Sequence, residues 1–170
     1  HYFNKARQTG QEVVVTFKQS DLPREVAVDD YEKGRANRLT DFTWLTDDTI
    51  SRGSWCYTEN LRIKPTAEVV HVLVDIVAKN GQLLLNISPK ADGSIPDEQT
   101  EVLLGVGEWL NVNGEAIYNP RPWVVFGDGP TRMKKGGHFV GSLAYSAQDI
   151  RFTTNGDVLY AIFLGEPADE

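Results

Sequence analysis

Residues 81–96 read GQLLLNISPKADGSIP: a short apolar run meets an asparagine and a polar turn, and Pro96 then stands where a helix can open. The leucines predict a strand built to be buried over Gln82 to Ile87, so the asparagine inside it, Asn86, raises the question of what it serves. Immediately upstream, Thr66 to Lys79 (TAEVVHVLVDIVAK) has helical periodicity, a possible N-cap in Thr66 and a stop at Asn80-Gly81. Its polar residues His71, Asp75 and Lys79 recur at i, i+4 and i+8, a single wet stripe on an otherwise apolar cylinder. From Pro96 to about Val112 a second helix places Val102, Leu103, Val106, Trp109 and Leu110 on one side. The order is helix, strand, helix.

Working outward, EVVVTF at 12–17 has three consecutive β-branched residues and little alternation, the pattern of a strand covered on both faces in a parallel sheet. FTWLT at 42–46 is a weaker strand. After Pro122 the character changes to short β-rich runs, WVVF, HFVGSLAY, DIRFTT and VLYAIFLG, split by Gly and Asp turns such as Asn155-Gly156. This predicts an antiparallel unit with a boundary near Asn119 to Pro122. The expected fold is α/β: the C-terminal portion of a (β/α)8-like TIM barrel over residues 1–118, then the beginning of an antiparallel β-sandwich over 119–170. Both halves read as incomplete.

A chain of 170 residues with 41% hydrophobic and 10% aromatic content is ordinary for a globular domain. Its net charge of -7 and pI near 5.0 argue against nucleic acid, whose binding rests on Lys and Arg displacing counterions. No apolar run approaches the roughly 20 residues that cross a bilayer, so no membrane partner is expected, and no leader is evident. Cys56 is the single cysteine, which excludes an internal disulfide, and His1, His71 and His138 lack metal-ligand spacing.

In α/β barrels the reactive groups lie just past the C-terminal ends of strands. Those positions hold Lys18 after the first strand, Asp47 and Asp48 after the second, and Asn86 with Ser88 at the third. Glu32 lies in DDYEKGR, read as a loop between the first two strands. Two separated carboxylates facing one cleft suit glycoside hydrolysis. Solvated charge is the commoner explanation for Asp29, Asp30 or Glu32 taken singly. Trp55 and Tyr57, in GSWCYTEN, could stack on a sugar face, although Trp more often packs. Cys56 reads as a small packing residue.

SWCY, the stretch from Gly81 through GEAIYNPRPW, YFNKARQTGQEVVVTF upstream and IRFTTNGDVLYAIFLGEP downstream together resemble the α-L-fucosidases of glycoside hydrolase family 29. The resemblance covers nearly all of the chain. It implies a retaining exo-α-L-fucosidase with a (β/α) barrel and a C-terminal β-sandwich, no metal or organic cofactor, and a fucosylated oligosaccharide or glycoconjugate as partner. It favours a periplasmic or secreted location. Glu32 resembles the acid/base glutamate that some members carry in an EY or ERG loop. Others place that glutamate directly after a tryptophan, where this chain has Leu45, which cannot transfer a proton; Asp48 is the distant second choice. Trp55 resembles the aromatic wall for the C5 methyl of fucose, and Asn86 is expected to support the site from behind. Lys18 takes the place of a substrate-contacting arginine, keeping the charge and losing the bidentate fork. The resemblance puts the nucleophilic aspartate upstream of His1, so the chain is expected to be one part of the enzyme. The competing expectation is a non-catalytic sugar-binding or structural pseudoenzyme of the same fold.

Overall fold

Four short strands pair in parallel and in chain order, β1 (Thr16–Phe17), β2 (Val28–Asp30), β3 (Trp44–Thr49) and β4 (Gly81–Asn86). The computed structural model describes residues 1–19 and 21–167. Helix α1 (Tyr2–Thr9) precedes β1 and ends at Gly10, whose φ of 67° is the left-handed C-cap that glycine adopts without strain. Helix α2 (Thr66–Ala78) joins β3 to β4, because a parallel pair needs a crossover, and α3 (Asp97–Asn113) comes after β4. An antiparallel sheet closes the chain in the order β5 (Arg121–Asp128), β6 (Ile150–Asn155) and β7 (Val158–Phe163). Between β6 and β7 the loop Gly156-Asp157 places Gly156 at φ 57°. The α/β character and the change to antiparallel pairing after residue 120 both agree with the sequence.

Several elements differ from the expectation. Of EVVVTF only Thr16 and Phe17 pair, because β1 meets β2 from Thr16↔Val28 onward, and Val14 is exposed. Strand β2 is an addition: it is three residues long and two of them are aspartates, which strands disfavour. Asp29 and Asp30 therefore lie buried in a sheet, and Glu32 comes directly after β2 instead of sitting mid-loop. HFVGSLAY forms no strand; it is an irregular part of the long β5–β6 connection, touching the parallel unit through the bridge Arg35↔Gly137. Thr66 is the first residue of α2 and not its cap. Pro65 occupies that position, and the Thr66 side chain packs where a Cβ on Gly105 of α3 would stand.

Helix α2 organises both cores. One side brings Ile76 and Val72 against Trp44, Tyr31, Phe42 and Leu83 on the sheet. Another brings Val70 and Val74 against Val106, Trp109 and Leu110 of α3 and against Ile117, Ile162 and Leu164 beyond it. The anticipated wet stripe is not wet. His71 is half-buried, and Asp75 and Lys79 are sealed beneath the second sheet, because Arg151 of β6 and Arg35 arrive to meet them. Asp75 accepts from Lys79 Nζ at 2.7 Å and from Arg151 Nε at 2.7 Å, with Arg35 Nη1 at 3.5 Å. The periodicity is real, but its cause is charge pairing across the two units.

Close packing at the start of β4 gives a first testable result. Trp44 is fully buried with its indole N–H donating to the Lys79 carbonyl at 3.1 Å, and a Cβ on Gly81 would lie 2.5 Å from the ring. Gly81→Ala is expected to cost about 1–3 kcal/mol by overpacking, read as a shift in denaturant midpoint. A shift under about 0.5 kcal/mol would mean that the indole can slide aside.

Candidate functional site

Because β1, β2 and β3 are parallel, their C-terminal ends share one edge, and alternation decides which side chains meet there. Phe17, Asp29 and Trp44 are register partners across the three strands and share one face, on which Trp44 packs against Ile76 of α2. The opposite face carries Lys18 after β1, Asp30 and its partner Leu45, then Asp47 and Thr49, with Leu84 and Asn86 paired to them on β4. This face is open: Leu84 is 57% exposed.

Lys18 sits at the centre of the charged groups. Its Nζ donates to Asp47 at 2.9 and 3.1 Å and to Glu32 Oε2 at 3.2 Å, and lies 3.7 Å from Asp30. Burial opposes the lysine's charge, yet the hydrogen bonds to Asp47 and Glu32 and the charge of Asp30 outweigh it and raise its pKa above the usual 10.5. Asp30 moves the other way from a typical paired carboxylate. Burial first, and then the neighbouring charge of Asp47, push it above the ordinary 3.8 although Lys18 pulls against them. The Asp47 backbone N–H donates to Asp30 Oδ1 at 3.2 Å, tying the two strands together at this point.

Glu32 is held by a segment that continues alongside β3. Tyr31 N–H donates to the Leu45 carbonyl at 2.9 Å and Lys33 N–H to the Asp47 carbonyl at 2.8 Å, so Glu32 is anchored on both sides of its own Cα. The Thr46 hydroxyl reaches the Tyr31 and Gly34 carbonyls at 2.5 Å each. Lys33 extends over the Trp55 ring at 4.4 Å and donates to the Gly53 carbonyl at 2.7 Å, which links the Glu32 segment to the loop after β3.

Asn86 holds the same loop from below. Its amide donates to the Trp55 carbonyl at 2.9 Å, and the Ser88 hydroxyl donates to that oxygen at 3.1 Å. Ser88 is fixed in turn by paired backbone bonds with the Gln99 amide of α3, at 2.8 and 2.9 Å. A polar residue at the end of a buried strand therefore serves the neighbouring loop.

Of the residues singled out by sequence, Lys18 and Glu32 come together, and Trp55 and Asn86 form a second pair connected to them by Lys33. Asp48 does not join them. Strand alternation turns it to the other face, where it pairs with Lys64 Nζ at 2.7 Å. Asp47, the other aspartate read at the second strand, joins them instead, because it lies two residues after Leu45 on the same face, and Asp30 comes with it from β2. Cys56 is exposed in its loop rather than packed. Among the described residues no group of three or more His, Cys, Asp or Glu could hold a metal ion, and no helix is long and apolar enough to cross a membrane.

Comparison with known proteins identifies the setting of this edge. The family model described as alpha-L-fucosidase matches residues 1–115. Human tissue alpha-L-fucosidase is 33% identical over 139 residues, 80% of this chain and 26% of its own, and rat plasma alpha-L-fucosidase is 42% identical over 83 residues, 47% and 18%. Among solved structures, Thermotoga maritima alpha-fucosidase in complex with fucose superposes with a TM-score of 0.73 at 32% identity, over 98% of this chain and 33% of that one. Another alpha-L-fucosidase gives 0.78 at 28% identity, over 99% and 35%. The chain belongs to the alpha-L-fucosidase family. It spans about a quarter of the length of the human tissue enzyme it matches.

Proposed function

We propose that this chain is part of a retaining exo-α-L-fucosidase that removes terminal α-L-fucose from oligosaccharides or glycoconjugates, with Glu32 as its general acid/base. The observation that carries the reading is the Glu32 carboxylate at the C-terminal edge of a parallel sheet, 3.2 Å from Lys18 beside Asp47 and Asp30. That edge is where α/β barrels do chemistry. Residues 1–118 are assigned to the C-terminal part of a (β/α)8 barrel and 119–170 to the opening of a β-sandwich. The parallel order β1-β2-β3-β4 and the antiparallel pairing from Arg121 support this division.

In this mechanism a carboxylate elsewhere in the enzyme attacks the anomeric carbon while Glu32 protonates the leaving oxygen; Glu32 then deprotonates the water that cleaves the glycosyl-enzyme. Lys18, shared among three carboxylates, offsets part of their charge, and it would have to give up one of these bonds to contact a sugar hydroxyl. Leu45 lies beside Asp30 in the sheet and takes no part in proton transfer. The direct test is fucose release from an aryl α-L-fucoside by the enzyme that carries this chain, with NMR of the first-formed sugar. The α anomer supports the reading and the β anomer sinks it.

Trp55 is proposed as the wall for the C5 methyl of fucose. Its backbone is pinned by Asn86 and Ser88, which leaves the half-buried indole as the adjustable contact. Trp55→Ala is expected to reduce the preference for fucosides over galactosides by about 10- to 200-fold, the worth of a methyl-sized contact. An unchanged ratio of kcat/KM values for the two sugars would return Trp55 to plain packing.

A further inference from the structure

We infer that His138 is a positioning residue for Glu32, delivered to the site by the β5–β6 connection. This rests on the reading of Glu32 as acid/base. The two residues are 106 positions apart, yet the Glu32 backbone N–H donates to His138 Nδ1 at 3.0 Å, and the next residue, Phe139, donates its N–H to the Glu32 carbonyl at 2.8 Å. Both backbone polar groups of Glu32 are thus satisfied by the connection and neither by the sheet. The adjacent pairs extend the seam: Val140 N–H to the Lys33 carbonyl at 3.0 Å, and Arg35 and Gly137 exchanging bonds of 3.1 and 2.9 Å.

The seam is shaped for this approach. A Cβ on Gly34 would stand 1.9 Å from the Gly137 carbonyl oxygen, and one on Gly136 would stand 2.7 Å from the Asn37 nitrogen, so only glycine fits at either place. Lys33 and Phe139, one residue beyond Glu32 and His138, have φ of 44° and 53°. Non-glycine residues in the left-handed region carry a local cost that the surrounding bonds must hold in place. The Tyr31 ring meets the imidazole edge-on at 5.9 Å and 90°, which sets its plane. Accepting at Nδ1 requires that nitrogen to be unprotonated, so the neutral ring carries its proton on Nε2.

A carboxylic acid that must protonate an oxygen is sensitive to displacement, since about 1 Å of misplacement costs on the order of 10²-fold. Natural glycosides, with poor leaving groups, depend on that proton; aryl fucosides with acidic phenols do not. In the enzyme that carries this chain, His138→Leu should lower kcat/KM, which reports only the steps through leaving-group departure, by about 10- to 100-fold more for a natural disaccharide than for dinitrophenyl fucoside. His138→Asn, whose side-chain oxygen can accept the same N–H, should recover most of the difference. The ratio between substrates does not depend on the fraction of enzyme that folds. Equal loss of kcat/KM on both substrates, or an Asn variant as impaired as the Leu variant, overturns the positioning role. Glu32→Ala run beside them separates the two readings: if it shows the leaving-group signature and His138→Leu does not, only the inference about His138 falls, and if Glu32→Ala lacks it, the acid/base reading falls first.

Discussion

Glu32→Ala is expected to cut turnover of natural fucosides by roughly 10²–10⁴, the usual worth of general acid/base catalysis. In the proposed mechanism the side chain serves twice, as acid for the leaving oxygen and as base for the water, and removing it would affect both steps. An aryl fucoside with a good leaving group needs little protonation, so its first step should survive while the glycosyl-enzyme accumulates. Azide, a nucleophile that needs no base, should then restore turnover by attacking the glycosyl-enzyme and give a fucosyl azide of the same configuration as the substrate, since two displacements at the anomeric carbon restore it. Three other carboxylates provide the controls. Asp30 and Asp47 share Lys18 with Glu32, whereas Asp48 is paired with Lys64 on the far face of the sheet. Wild-type activity in Glu32→Ala, or azide rescue in Asp47→Ala or Asp48→Ala instead, would reduce Glu32 to a solvated charge and move the acid/base along β3.

The parts of the fold legible in the sequence are those with long apolar periods. Helices α2 and α3 and strand β4 carry enough Val, Leu and Ile for period and length to agree. Strand β2 carries no such signal: a three-residue strand with two aspartates has no usable period, and its existence depends on β1 and β3 lying on either side. HFVGSLAY misleads for the opposite reason. Its alternation of apolar and small residues suits a strand, but Gly136, Gly137 and the positive φ of Phe139 commit it to a close seam against residues 32–37.

The site is legible to the same degree. Lys18 can be found by looking just past a strand end and Asn86 by asking why a buried strand should end in an amide, whereas Glu32 follows a strand with no sequence signal and is reached only through the family resemblance. Asp47 and Asp48 are adjacent letters, and choosing between them requires the facing of β3, which Trp44 reveals by turning toward α2. His138 cannot be connected to Glu32 from the sequence, since the contact joins two differently built units. Asp75 misleads because a helical stripe of polar residues looks the same whether it meets water or arginine.

Asp75→Asn should be the most destabilising of these substitutions. Its carboxylate is surrounded by Lys79, Arg151 and Arg35, all buried, with the Phe126 ring 4.9 Å from Lys79 Nζ and 5.4 Å from the Arg151 guanidinium. Burial works against the Asp75 charge, but the three cations prevail and hold its pKa below the ordinary value. Removing the one anion leaves three buried cations unpaired, and breaking such a group costs about 3–5 kcal/mol. Lys79 determines how that loss varies with pH. Burial drives its pKa from 10.5 down to about 8 against the attraction of Asp75, so the folded state binds its proton more weakly than the unfolded chain does. Below pH 8 both states are protonated and the penalty is fully present; between about pH 8 and 10.5 the folded state sheds the proton first, and stability contributed by this group rises. Lys18, whose pKa lies above 10.5, does not titrate in that window. Denaturant unfolding of the enzyme that carries this chain should therefore show a large loss for Asp75→Asn at pH 7 and a smaller one near pH 9.5. Lys79→Met, which removes a buried cation from an excess of them, should be nearly neutral at pH 7 and should abolish the rise above pH 8. A cost under about 1 kcal/mol for Asp75→Asn, or a pH profile unchanged by Lys79→Met, would mean that water reaches the cluster and that its charges do not hold the two sheets together.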